Sequence, residues 1–121
     1  VKVLIVDDEP DVRYVARLSL VKLGDMTVVE ASTGVEAIAT AKKERPDLVL
    51  LDVMMPGMDG CETFHALKAD PDTAAIPVIF LTAAGKTSEA MQMQEYGARG
   101  VLYKPFDPLT LASDLRAILN E

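Results

Sequence analysis

The sequence predicts an α/β protein: a five-stranded parallel sheet wound by helices on both faces, the doubly wound (βα)5 arrangement. Two observations carry this. Short apolar, β-branched runs alternate along the chain with longer segments of helical period. Three of the runs are apolar on both faces of a strand, which suits parallel strands covered above and below. Alternation of this kind implies a parallel sheet with right-handed crossovers.

Element by element, Lys2–Val6 reads as the first strand. A helix follows, with Val12, Val15, Ala16, Leu20 and Leu23 on one face, Pro10 just inside its start and Gly24 just past its end. Met26–Glu30 reads as the second strand, and Ala37, Ile38 and Ala41 mark the second helix. Asp47–Leu51 is the third strand, followed by a shorter helix over Cys61–Lys68. Pro77–Leu81 is the fourth, followed by a helix over Ser88–Tyr96. Gly100–Tyr103 is the fifth, and Leu111, Ala112, Leu115, Ile118 and Leu119 define the last helix. Five such units favour the flavodoxin-like strand order 2-1-3-4-5, whose switch point lies between strands 1 and 3. Ligands of open α/β sheets bind there, beyond the carboxyl ends of the strands.

Residues 1–121 are expected to form a single domain, with no linker, repeat or low-complexity stretch. The formal charge of −7 argues against direct nucleic-acid binding, which needs clustered Lys and Arg. The single Cys61 allows no internal disulfide and suits a reducing compartment. The longest apolar runs fall well short of the roughly 20 residues that cross a bilayer, and no secretory leader is recognisable. The expected location is cytoplasmic, without membrane attachment. The first residue is Val rather than Met, so a trimmed chain and a piece of a longer one both stay open.

The polar residues that end the core strands converge on the switch point. Strand 1 ends in Asp7-Asp8-Glu9, strand 3 in Asp52, strand 4 in Thr82 and strand 5 in Tyr103-Lys104-Pro105. Strand 2 ends in Ala31-Ser32 and is expected to contribute nothing comparable. Asp7, Asp8 and Asp52 would bring three negative charges together against the one positive charge of Lys104. At an effective dielectric near 20, each carboxylate pair at about 4–5 Å repels by about 3–4 kcal/mol. Either one carboxylate stays protonated or a divalent cation supplies the two missing charges. Oxygen-only donors with room for water and phosphate suit Mg²⁺ better than Ca²⁺. Zinc is disfavoured, because His65 and Cys61 are single and lie away from the crevice. Carboxylate, cation, Lys and hydroxyl together make a phosphoryl-transfer geometry, with Asp52, alone on the central strand, as the expected nucleophile.

These residues resemble a known family. Asp7-Asp8, Asp52 in the string Asp52-Val53-Met54-Met55-Pro56-Gly57-Met58-Asp59-Gly60, Thr82-Ala83, and Lys104-Pro105-Phe106 are similar to the motifs of the receiver domain of two-component response regulators, of the chemotaxis-regulator kind. The resemblance spans essentially the whole chain, and the intervals between the motifs are similar to those of typical receivers. It implies that Asp52 takes a phosphoryl group from a phosphohistidine on a sensor histidine kinase or phosphotransfer protein. It implies Mg²⁺, with Mn²⁺ able to substitute, held by Asp8, Asp52 and the Met54 backbone carbonyl, with Asp7 helping through water. Lys104 would pair with Asp52 or its phosphate, and Thr82 would move to hydrogen-bond a phosphate oxygen. The Lys104-Pro105 peptide bond is expected to be cis. Phosphorylation would reshape the face built from helix 4, strand 5 and helix 5, signalling to a downstream effector that the sequence does not identify and offering a route to homodimers. The domain would catalyse only its own phosphorylation and dephosphorylation.

One position departs from the pattern. Val101 stands three residues before Lys104, where many receivers carry Tyr or Phe, and Tyr103 is expected to point elsewhere. Switching would then rest on Thr82 and backbone shifts around it. Met54 and Ala84, each two residues after a site residue, are apolar and would give attacking water no polar help, favouring a long-lived acyl phosphate.

Other readings compete. Asp7-Asp8-Glu9-Pro10 also fits a plain helix start, and Asp59-Gly60 fits a turn in which Gly permits positive φ. A haloacid-dehalogenase-like phosphohydrolase would place its nucleophile after strand 1 with a second Asp two residues on, where this chain has Glu9. A non-phosphorylated pseudo-receiver scaffold would not need the full acidic set. A flavin-binding reading lacks a Ser/Thr/Gly-rich loop after strand 1. His65 and Cys61 read as a solvated and a packed residue.

Overall fold

Five strands and five helices alternate without exception in the computed structural model, which describes residues 1–83 and 87–120. They are β1 (Lys2–Val6), α1 (Pro10–Lys22), β2 (Thr27–Ala31), α2 (Gly34–Glu44), β3 (Leu48–Asp52), α3 (Gly60–Ala69), β4 (Val78–Thr82), α4 (Thr87–Glu95), β5 (Gly100–Tyr103) and α5 (Leu111–Leu119). All pairings are parallel, and the order is β2-β1-β3-β4-β5. The predicted switch point between β1 and β3 is therefore real.

The sheet divides the interior into two apolar layers. Leu4, Val6, Val49, Leu51, Val78 and Phe80 face α2, α3 and α4 through Ala37, Ala41, Phe64, Leu67, Ala90 and Met93. Val3, Ile5, Leu48, Leu50, Ile79 and Leu81 face α1 and α5 through Ala16, Leu20, Leu111, Ala112 and Leu115. Neighbours along one strand enter opposite layers, as strand alternation requires. That is why β3 and β4 are buried at every position and read as unbroken apolar runs.

β2, β3 and β4 begin and end one residue later than the sequence suggests. At β2 the cause is visible: the Met26 N–H donates to the Leu20 carbonyl at the end of α1, which keeps Met26 out of the sheet. The shift matters for the site. Asp52 pairs with Leu81, and Thr82 with Tyr103, so both are the last residues held in the sheet.

The start of α3 is equally fixed. Asp59 accepts the Glu62 N–H at 2.8 Å while the Glu62 side chain accepts the Asp59 N–H at 3.2 Å, a reciprocal capping box. Asp59→Ala is expected to cost about 1 kcal/mol, read from the urea midpoint at unchanged m-value. The turn reading of Asp59-Gly60 is corrected in one respect. Positive φ belongs to Gly57, at +73°, and not to Gly60. At Gly60 the requirement is space, since a Cβ there would lie 2.1 Å from the Asp52 carbonyl oxygen.

Candidate functional site

Asp7 directly follows β1, Asp52 ends the neighbouring β3, and both are buried, whereas Asp8 is exposed. Carboxylate oxygens of Asp7, Asp8 and Asp52 all lie within 4.8 Å of one another. The Lys104 ammonium meets Asp7 Oδ2 at 2.8 Å, Asp52 Oδ2 at 3.4 Å and Glu9 Oε1 at 3.4 Å. The expected Lys104–Asp52 pair is present, but Asp7 is the nearer partner. Glu9, which the sequence offered only as part of an acidic string, also reaches Lys104.

Each group is oriented by its backbone. Asp7 Oδ1 accepts the Glu9 N–H at 2.9 Å, and Asp52 Oδ1 accepts the Met54 N–H at 3.2 Å. The Lys104-Pro105 bond is cis, as expected. The Thr82 hydroxyl is fully buried and donates to its neighbour's carbonyl, Ala83 O, at 3.2 Å. The Met54 side chain is exposed. Ala84 lies outside the described residues. Val101 is half-buried and packs on the layer containing Ala90 and Met93. Tyr103, the last residue of β5, is exposed and packs in neither apolar layer.

The electrostatics follow from this geometry. Burial, reinforced by the charge of Asp7, pushes the Asp52 carboxyl up to about 6, against the opposing pull of Lys104 and the Met54 N–H. For Lys104, burial alone would lower the pKa. The hydrogen bond to Asp7 and the charges of Asp52, Asp7 and Glu9 outweigh it and hold the ammonium above the ordinary lysine range. Of the two ways of relieving the acidic cluster, protonation thus operates only on the acid side of neutrality. Above about pH 6 the ionised form of Asp52 predominates, and the positive deficit remains.

The donors fit a hard divalent cation. They are all oxygens, two buried and one open to solvent, and Asp8 has no hydrogen bond or ion pair among the described residues. Cys61 lies in a separate cavity with Met54, Asp59 and Glu89, and His65 stacks edge-on between Phe64 and Tyr96. Neither belongs to the acidic cluster.

β2 sends no side chain into the acidic cluster, as expected, but it braces the loop from behind. The Ala31 carbonyl accepts the Asp7 N–H at 3.2 Å. From the same strand, Glu30 holds Arg13 at 3.2 Å, and Arg13 donates to the Asp7 carbonyl at 2.7 Å. No local pattern marks these residues; only the register that sets Ile5 beside Glu30 brings them to the loop. Val12, Val15, Pro105 and Phe106 line an apolar groove of about 390 Å³, rimmed by Glu9, Asp11 and Lys104.

Comparison with known proteins agrees with this geometry. The sequence model of the response regulator receiver domain matches residues 3–116. Protein PilH of Pseudomonas aeruginosa is 38% identical over 118 residues, covering 98% of this chain and 97% of PilH. The phosphate regulon transcriptional regulatory protein PhoB of the same organism is 40% identical over 118 residues, covering 98% of this chain but 51% of PhoB. The chain thus spans nearly all of PilH and about half of PhoB. The chemotaxis response regulator CheY4 of Vibrio cholerae superposes with a TM-score of 0.87 at 34% identity, with 97% of each chain covered. The acidic crevice, its lysine and these relatives together place the chain in the response regulator receiver domain family, the phosphorylation-activated switches of two-component signalling.

Proposed function

We propose that residues 1–121 act as one receiver domain in which Asp52 accepts a phosphoryl group from the phosphohistidine of a sensor histidine kinase or phosphotransfer protein. The observation that carries this is the placement of three carboxylates within 4.8 Å beside a lysine that touches two of them. An Asp52 carboxylate oxygen attacks phosphorus, the phosphorus–nitrogen bond to the imidazole breaks, and the leaving ring takes up a proton. The ionised form attacks, and it predominates above about pH 6.

Asp8, Asp52 and the Met54 backbone carbonyl would hold Mg²⁺, or Mn²⁺ in its place, with Asp7 acting through water. When bound, the cation supplies Lewis-acid neutralisation of the charge on the transferred group. Lys104 would neutralise charge on the same group, and its present contacts with Asp7 and Glu9 hold it beside Asp52. Thr82, buried with its hydroxyl on Ala83 O, turns to donate to a phosphate oxygen. With Val101 in place of the usual aromatic ring, switching rests on Thr82 and its backbone. The domain catalyses only its own phosphorylation and dephosphorylation.

The groove beside Lys104 gives the phosphodonor protein an apolar seat next to the acceptor. The α4–β5–α5 face carries the signal to an effector and offers a pairing surface for a second copy. No described helix is long and apolar enough to cross a membrane. We place the domain in the cytoplasm, where its kinase partners would present their phosphohistidine.

The test is incubation with phosphoramidate and Mg²⁺ followed by intact mass. One hydroxylamine-labile phosphoryl adduct is expected, absent in Asp52→Asn. Repeated turnover of a small phosphate ester would instead indicate a phosphohydrolase. No adduct and no metal binding would indicate a scaffold.

A further inference from the structure

We infer that Arg13 is a positioning residue for the acidic cluster, fixing the direction of Asp8 through the peptide group that joins it to Asp7. This rests on the reading of the cluster as a metal site. Arg13 lies in the first turn of α1 with its side chain only 19% exposed. Its Nη1 donates to the Asp7 carbonyl oxygen at 2.7 Å, and its Nε donates to Glu30 Oε1 at 3.2 Å. The Asp7 carbonyl and the Asp8 N–H belong to one planar unit, so holding the oxygen also holds the Asp8 nitrogen. Only the rotations of Asp8 itself remain free.

Asp7 is fastened on every side. Its N–H goes to Ala31 O, its side chain to the Glu9 N–H and Lys104, and its carbonyl to Arg13. Asp8 has no such partner among the described residues, so its carboxylate inherits its direction from the peptide before it. An arginine suits this role because its rigid fork reaches a carbonyl and a carboxylate at once, whereas a lysine offers one donor centre. Glu30 completes the device. One oxygen takes Arg13 and the other takes Arg17 Nε at 2.6 Å, so Arg17 braces Glu30 without being bonded to the loop. Glu30 offsets only one of the two guanidinium charges it binds, so Arg17→Gln, which removes the same charge without a bond to the loop, separates orientation from charge.

Calorimetric titration of Mg²⁺ into the parent chain and three variants tests this. Arg13→Gln is expected to weaken Mg²⁺ binding about tenfold, the scale usual for groups that orient metal ligands, and Glu30→Gln about threefold. Arg17→Gln should stay within twofold. In phosphoramidate assays the Mg²⁺ half-saturation of Arg13→Gln should rise by the same factor, while its rate at saturating Mg²⁺ falls less than twofold. A merely structural role would not produce that split. In the metal-free protein, the Asp8 amide resonance should move in Arg13→Gln and stay in Arg17→Gln. If Arg13→Gln unfolds at the assay temperature, Glu30→Gln carries the comparison. Unchanged affinity in both Arg13→Gln and Glu30→Gln would overturn the inference, as would an equal loss in Arg17→Gln. If the parent binds no Mg²⁺, the metal reading falls, and the metal-free Asp8 resonance still decides the positioning role.

Discussion

Gly60→Ala should be among the most damaging substitutions in the chain, costing about 3 kcal/mol, the upper end of what overpacking usually costs. A methyl group on Gly60 would sit 2.1 Å from the Asp52 carbonyl oxygen and 2.7 Å from Val53 Cα. Both are backbone atoms, and neither can swing aside. In an unhindered helix Ala is preferred to Gly by up to about 1 kcal/mol, so a loss here has the opposite sign to propensity. Urea unfolding should show a lowered midpoint at unchanged m-value. Because the displaced carbonyl belongs to Asp52, phosphoryl adduct formation in the folded variant should slow at least tenfold. Gly57→Ala is the contrast. It has open space but a φ of +73°, and should cost about 1 kcal/mol while leaving the adduct rate unchanged.

The second large effect is linkage between Asp52, pH and Mg²⁺. The folded-state pKa of Asp52, about 6, lies above its unfolded value near 3.8. The native state therefore holds the proton more tightly than the unfolded state. The associated stability is fully present below about pH 4 and is lost as the pH rises through 6. The loss should amount to about 2 kcal/mol after allowing for solvent screening. Asp52→Asn removes this dependence, so metal-free Asp52→Asn should be more stable than the parent at pH 7.5 and nearly equal to it at pH 4. Adding Mg²⁺ should reverse the order. At a hundred times its dissociation constant the ion stabilises the parent by about 2.7 kcal/mol, enough to overcome that difference, and chelation removes the gain. Asp52→Asn, short of one ligand charge, should gain much less. Thermal melts of both proteins at the two pH values, with and without Mg²⁺, read all of this directly.

The strand order and the convergence of Asp7, Asp8, Asp52 and Lys104 were legible because both follow from the alternation of strands and helices. Apolar alternation marks strands, and in a parallel sheet every carboxyl end faces the same way. The length of the lysine stem hid its nearest partner. The sequence sets where the Lys104 backbone stands, while four rotatable carbons decide that Asp7 lies closer to the ammonium than Asp52. Glu9 was hidden for the same reason. Arg13 and Glu30 were hidden more deeply, since they meet across 17 residues through β1–β2 register and carry no motif. Gly60 was visible as a glycine, but only the approach of α3 to the end of β3 explains why nothing larger fits there.

β5 forms one margin of the sheet and is only four residues long. Directly after it come a lysine whose ammonium is drawn into the crevice and a proline with no N–H to offer. A free margin normally invites a foreign chain to add itself as another strand, and brevity and proline are two of the ways proteins refuse it. Copies of this domain that meet along that side are therefore expected to do so by side-chain contact between helices and not by strand addition, in an association that comes apart readily.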